Sequence, residues 1–269
     1  CAGTNCVPDP ARTGTLDAKM WDGAAEAAST FDRGDFVKVK GLIEVYRNRP
    51  QMRVHKLRRA EDAEVDFADY FPHTACDIDQ MWTELRAAVA EMSNTHLRAL
   101  VEAFLDDPEV AQRFRKAPAA KSLHHARIGG LLEHVVSVAR LCRLVAQNYP
   151  FIDRDLLLAG VVLHDVGKIY ELSYQRSFGY TTEGRLLGHM TMALKMLDAK
   201  AAAVSGFPSK LKTLVEHMIL SHHGRYEFGS PRLPVFPEAV LLHYLDDLDS
   251  KMDSMRATLA GEPAMAGEW

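Results

Sequence analysis

Residues 156–168 read LLLAGVVLHDVGK: an almost wholly apolar run that ends in His164-Asp165 and leaves through Gly167 before Lys168. A run of this length suits a helix buried on all sides, since a membrane span needs about 20 such residues. Its end is the informative part. Burying a histidine and an aspartate there without partners would cost several kcal/mol. A divalent cation offsets that cost, because it neutralises the carboxylate and accepts the imidazole lone pair. The stretch therefore predicts an all-helical core with a metal site at a helix end, and Lys168 aimed into it.

The same chemistry recurs on either side of this stretch. The chain has twelve histidines, and nine of them lie between His124 and His243. His134 sits in GLLEHVVSVA, on a helix whose Leu131, Leu132, Val135 and Val138 face a core. His189 follows GRLLG at the start of another helix, His222-His223 close a helix before Gly224, and Asp246, Asp247 and Asp249 lie in LLHYLDDLDSKM. A lone His-Asp pair is a weak signal, but this ordered set, each member near a helix end, points to a metal centre. His217 and His243 read as packing or supporting residues, and His124-His125 as an outer shell or substrate channel rather than ligands.

Helical periodicity marks about 131–147, 155–166, 186–203, 210–221 and 238–255, with breaks at Asn148-Tyr149-Pro150, Ser205–Pro208 and through 229–237. Upstream, the apolar positions from Met81 to Leu105 give one or two amphipathic helices ending near Asp107-Pro108. Before Ile78 the pattern changes. Thr15–Trp21, Phe36–Val45 and Gln51–Leu57 alternate as strands, with Gly41 a bulge and Asn48-Arg49-Pro50 a turn. Three strands resemble part of a small β-barrel, incomplete at its start because residues 1–12 carry no strand pattern.

Charge divides this region in two. Lys38, Lys40, Arg47, Arg49, Arg53, Lys56, Arg58 and Arg59 stand against Glu44 alone, and the next twenty residues carry only acids. A basic module followed by an acidic stretch suggests contact with a polyanion, and a merely solvated face is the plain alternative. The whole-chain balance of −4 and the 47% apolar, 25% charged composition are those of an ordinary globular protein and point to no partner. Four scattered cysteines, Cys1, Cys6, Cys76 and Cys142, favour a reducing cytoplasm. A first residue that is Cys rather than Met reads as a processed or truncated start, with a lipid-modified terminus conceivable.

The order His134, His164-Asp165, Asp246 resembles the HD superfamily of metal-dependent phosphohydrolases, and His189 with His222-His223 resembles its two-metal branch. The stretches 124–142, 156–173, 180–190, 217–231 and 238–252 are similar to the bacterial YhaM-type 3′→5′ exoribonucleases, a likeness running from about Thr13 to Met255. The resemblance implies an OB-fold before a helical HD domain, with residues 13–23 and 34–57 similar to its middle and late strands. It also implies two divalent ions, Mn favoured over Fe, Co, Ni or Zn, held by His134, His164, Asp165, His189, His222, His223 and Asp246, with Asp249 the rival to Asp246. Asp165 would bridge, Lys168 would steady charge on the phosphate, and Arg185, Lys38, Lys40, Arg47, Arg49 and Arg53 would contact substrate.

The expectation is a mainly α protein: an incomplete OB-like β module at 1–60, an acidic and helical linker at 61–120 and an HD domain at 121–269. Its function would be exonucleolytic hydrolysis of single-stranded RNA, and of DNA too, to nucleoside 5′-monophosphates. Two alternatives stay open: a phosphohydrolase of small or cyclic nucleotides, and a non-catalytic strand-binding factor with a structural metal. Structural sites are usually closed and cysteine-rich, which this set is not.

Overall fold

The computed structural model describes residues 16–32, 35–65, 70–121, 125–174 and 179–261. It divides into two compact units, one running up to Pro72, the other taking His73–Ser173 and the residues from Gly179 on.

In the first unit, β1 (Asp17–Met20), β2 (Val37–Tyr46) and β3 (Arg49–Arg59) form one sheet in the order β1-β3-β2, with β1 parallel and β2 antiparallel to β3. A short helix α1 (Ala24–Ala28) follows β1. The β2–β3 turn lies one residue earlier than the sequence suggests. Arg47 and Asn48 take φ of 51° and 60°, so Tyr46 pairs with Arg49, and Pro50 already belongs to β3. Two left-handed residues make the tight turn whose twist matches that of the strands, and Pro50 lies before the stretch that β1 pairs with.

The register slips at Gly41, where one step along β2 corresponds to two along β3. Cross-strand partners share a face and alternate residues of a strand return to it. Because the extra residue, His55, lies on β3, Lys38, Lys40, Arg49, Arg53, Lys56 and Arg58 all fall on one face with Leu42, Glu44, Gln51 and Tyr46. The opposite face carries Val37, Val39, Ile43, Val45, Met52, Val54 and Leu57. The expected strandless stretch at 1–12 lies outside the described residues.

The second unit is helical. Its core elements are α5 (Gly130–Asn148), α6 (Arg154–Leu163), α7 (Lys168–Glu171), α8 (Thr182–Ala203), α9 (Ser209–Ser221) and α10 (Pro237–Gly261), with a two-residue ladder β4 (Leu172–Ser173) against β5 (Gly179–Tyr180). As its sequence demands, α6 is buried on all sides from Leu156 to Leu163, with α3, α5, α9 and α10 around it.

The stretch expected to be a linker contributes three further helices, α2 (Ile78–Ala90), α3 (Thr95–Leu105) and α4 (Pro108–Lys116), packed on α5 and α6. Asp107-Pro108 is a helix start as well as a stop. Asp107 accepts from the backbone N–H groups of Glu109 and Val110 at 3.0 and 3.2 Å. Proline at the first helical position loses no hydrogen bond, since that N–H has no partner inside the helix anyway. Asp77, Asn94 and Asp153 cap α2, α3 and α6 in the same way. Among the described residues no helix is long and apolar enough to cross a membrane.

Candidate metal centre

Two helices end on the same device. His164 stands at the C-terminal end of α6 and His222 at that of α9, where the last carbonyls lack partners within the helix. The Nδ1 of His164 meets the Val161 carbonyl at 2.8 Å and that of His222 meets the Ile219 carbonyl at 2.7 Å. A carbonyl only accepts, so each Nδ1 carries the hydrogen, and each Nε2 presents a bare lone pair away from the helix. His223 is fixed likewise by the Phe228 carbonyl at 2.8 Å. His243 donates from Nδ1 to the carbonyl of His222 at 2.9 Å and so braces the turn that holds both histidines.

Around Asp165 these lone pairs converge. On one side, His134 Nε2 lies 3.2 Å from Asp246 Oδ1 and 3.4 Å from His164 Nε2, and His164 Nε2 lies 3.3 Å from Asp165 Oδ2. On the other, Asp165 Oδ1 is 3.5 Å from His189 Nε2 and 3.6 Å from His222 Nε2, with His223 in the same cluster. His189 reaches this position because α8 breaks at Gly188 (φ 72°, ψ 157°) and restarts at the histidine. Gly167 lets the His-Asp turn approach: a Cβ there would stand 2.0 Å from the His189 carbonyl oxygen.

Among the described residues, the buried side-chain atoms without a hydrogen-bond partner are Asp165 Oδ1, His189 Nε2 and His222 Nε2. All three face one another. A carboxylate oxygen and a bare imidazole nitrogen are acceptors, and orphaned buried acceptors of this kind call for a cation. The donor set therefore fits a metal ion.

Electrostatics agrees. Burial opposes the charge on Asp165, yet the Lys168 ammonium holds its carboxyl well below the usual range. Lys168 Nζ sits 2.6 Å from Asp165 Oδ2. Burial works against its charge too, but Asp165 raises its pKa, so the ammonium persists. Burial and neighbouring imidazoles push His222 well below its ordinary value, and burial lowers His223. His134 goes the other way: against burial, Asp246 and Asp249 raise it to about 10.

Asp246 and Asp249 occupy different sides of His134. Asp246 faces Nε2, where the other candidate ligands gather, whereas Asp249 grips Nδ1 at 2.8 Å and also receives Ser137 and His125, the latter at 3.0 Å. Behind them runs a network that the sequence reading missed: Arg127 binds the buried acids Glu133 at 2.8 Å and Asp253 at 2.7 Å, and the exposed Arg256 bridges the same two acids. Asp253 lies four residues after Asp249 and seven after Asp246, on the same helix face, a spacing that could have flagged it as it did Asp249. Glu171 was also missed. It accepts from the His189 backbone N–H at 3.1 Å and lies 3.3 Å from its Nδ1.

A cleft of about 420 Å³ opens onto the centre, lined by His189, His222, His223, Asp246 and Lys168, with Lys121, Tyr180 and Phe228 farther along its walls. Arg185 is exposed and lines a neighbouring groove instead. His217 meets the Val235 N–H and packs on Phe236. His124 lies outside the described residues. Lys38, Lys40, Arg49 and Arg53 are on the basic face of the sheet, and Arg47 stands on its turn over the Tyr46 ring.

This fold and centre define a class, and residues 131–251 match the model of the HD domain. Over 259 residues, 96% of this chain, the sequence is 37% identical to the 3′-5′ exoribonuclease YhaM of Bacillus subtilis (strain 168), covering 81% of that protein. It is also 37% identical to the protein of the same name from Geobacillus sp. (strain WCH70) and 36% identical to that of Bacillus pumilus (strain SAFR-032), covering 78% and 81% of them. No solved structure matches. The chain belongs to the YhaM family of HD-domain proteins.

Proposed function

We propose that this protein is a metal-dependent 3′→5′ exoribonuclease that removes nucleoside 5′-monophosphates from single strands of RNA, and of DNA as well. The observation that carries the reading is the convergence of Asp165 Oδ1, His189 Nε2 and His222 Nε2, buried and unpartnered, beside His134, His164 and Asp246. The relatives' activity supplies the substrate class.

His134, His164, Asp165 and Asp246 would hold one divalent ion, and Asp165, His189, His222 and His223 a second, Mn being the favoured metal. When bound, such ions supply Lewis acidity that makes water a nucleophile near neutral pH and offsets charge on the attacked phosphate. The chain's own residues do the rest. Carbonyls and carboxylates behind each imidazole fix its tautomer and aim, so no ring must reorient during turnover. Lys168 keeps its proton and, while bound to Asp165 through one N–H, has two more to offer a phosphoryl oxygen. Arg185 is suited to a phosphate farther along the strand. The basic face of the sheet favours strand binding through backbone phosphates, as expected of an OB-like module in a cytoplasmic enzyme.

The test is direct. A 5′-labelled single strand incubated with the protein and Mn should shorten stepwise from its 3′ end and release 5′-monophosphates. Cleavage only of dinucleotides or cyclic dinucleotides would replace this reading with that of a small-molecule phosphodiesterase.

A further inference from the structure

Next to the metal cleft lies a second groove of about 460 Å³, bounded by Tyr180, Arg185, Leu186, Leu187 and Glu171 together with Gly184 and Gly188. Tyr180 and Glu171 line the cleft as well, so the two spaces share a wall. The groove is a consequence of the break at Gly188, which detaches the first turn of α8 from the helix that continues after it. Leu186 and Leu187 are consequently left 78% and 42% exposed, beside Tyr180 at 43%.

A single exposed leucine needs no explanation. Two leucines and an aromatic ring around one concavity, with a guanidinium at its rim, are the composition of a ligand site. Arg185 has no carboxylate partner among the described residues. The one acid in the wall, Glu171, is committed to His189. Apolar walls and an aromatic face suit a nucleobase, and an unpaired arginine suits the phosphate attached to it.

We propose that this groove is a nucleotide subsite: it takes the nucleoside next to the scissile phosphodiester on the 5′ side, its base against Tyr180 and Leu186, with Arg185 on the phosphate at that nucleoside's own 5′ position. The proposal rests on the strand-hydrolysing activity and adds where the second nucleotide lies and what recognises it. It predicts a contact with the base that tolerates any sequence, since every base offers a π-face.

Its test compares removal of the 3′-terminal nucleotide from two oligoribonucleotides, one intact and one lacking the base at the penultimate position. For the wild type, the missing base should raise KM roughly tenfold with little change in kcat, the size of one stacking contact. Tyr180→Ala should show the same rise on the intact strand and no further rise on the abasic one, and Tyr180→Phe should restore wild-type behaviour. Arg185→Ala should raise KM on both strands alike, because it reads the phosphate. A wild type indifferent to the missing base, or a Tyr180→Ala loss that adds to the loss from the abasic strand, would overturn the subsite while leaving the exonuclease intact. A wild type that degrades neither strand but hydrolyses a small phosphodiester would overturn the activity, and the subsite with it.

Discussion

The metal cleft and the basic sheet are both crowded with charge, but they hold it differently. Around Asp165 the polar groups are buried or half-buried, and each buried side-chain polar atom has a directed partner apart from the three that face one another. On the sheet the cations are exposed, and their pairs reach from loose to close: Lys38 lies 3.4 Å from Glu64 and Arg53 4.0 Å from Glu44, whereas Arg58 donates twice to Glu64 at 2.7 Å. Exposed pairs of this kind contribute little, about 0–1 kcal/mol each. A buried group stripped of its partner costs several times that. One region is a preorganised instrument, in which a single atom matters. The other is a diffuse field, in which only sums matter.

The sharpest way to break this contrast is Asp165→Ala, which removes the carboxylate common to both sides of the centre. Hydrolysis should fall by at least about a thousandfold, about 4 kcal/mol of transition-state stabilisation, while circular dichroism stays native. Near-normal turnover in a folded variant would mean that the reaction takes place elsewhere.

Asp249→Asn should have a smaller and more specific effect. Asp249 does not reach the Nε2 of His134; it holds the back of that ring through Nδ1 and helps to raise the imidazole to about 10. Losing such a support costs metal affinity on the order of 10–100-fold. The sign of the proton balance adds a second readout. A histidine titrating near 10 is protonated at pH 7.5 and must release a proton to ligate, whereas His222 and His223, held below their ordinary values, are already neutral. Titration calorimetry of the metal-free protein in buffers of different ionisation enthalpy should show more proton release by an ion that engages His134 than by one that engages His222 and His223. In Asp249→Asn the release should shrink. Equal release at both sites would contradict the asymmetry drawn here.

The same contrast explains what could be read from the chain alone. The helical unit was legible because burial leaves strong patterns: an apolar run interrupted by His164-Asp165 has few other physical explanations. Its ends were less legible. Asp107-Pro108 carries both a stop and a start, and the aspartate cap with proline behind it, read only as an end, also opens α4. Glu171 and the Arg127, Glu133, Asp253 network were missed for a related reason. A charge with one distant buried partner looks, in sequence, like a charge facing water. On the sheet, the residue count from Lys40 to Arg53 does not reveal a shared face. That depends on the bulge at Gly41, which the glycine hinted at, and on its extra residue lying on β3, which nothing in the sequence specified.

The weakest single effects belong to the sheet, so the last prediction has to be cumulative. If Arg49 and Arg53 on the basic face and Arg47 on the turn neutralise strand phosphates, each contact releases condensed counterion on binding. The logarithm of affinity then falls with the logarithm of salt at a slope near −0.7 per contact for a single strand. Replacing the three together by alanine should flatten that slope by about two units and raise KM on long strands. Each alone should shift it by less than one. A dinucleotide has too few phosphates to engage the cleft and the sheet at once, so its hydrolysis should hardly change, and its bound metal should not change at all. An equal loss on long and short substrates would trace the defect to the cleft or to misfolding, and the sheet would cease to be a separate field. An unchanged salt slope with normal turnover would leave the basic face as a solvated surface, and the strand would have to be held by the helical unit alone.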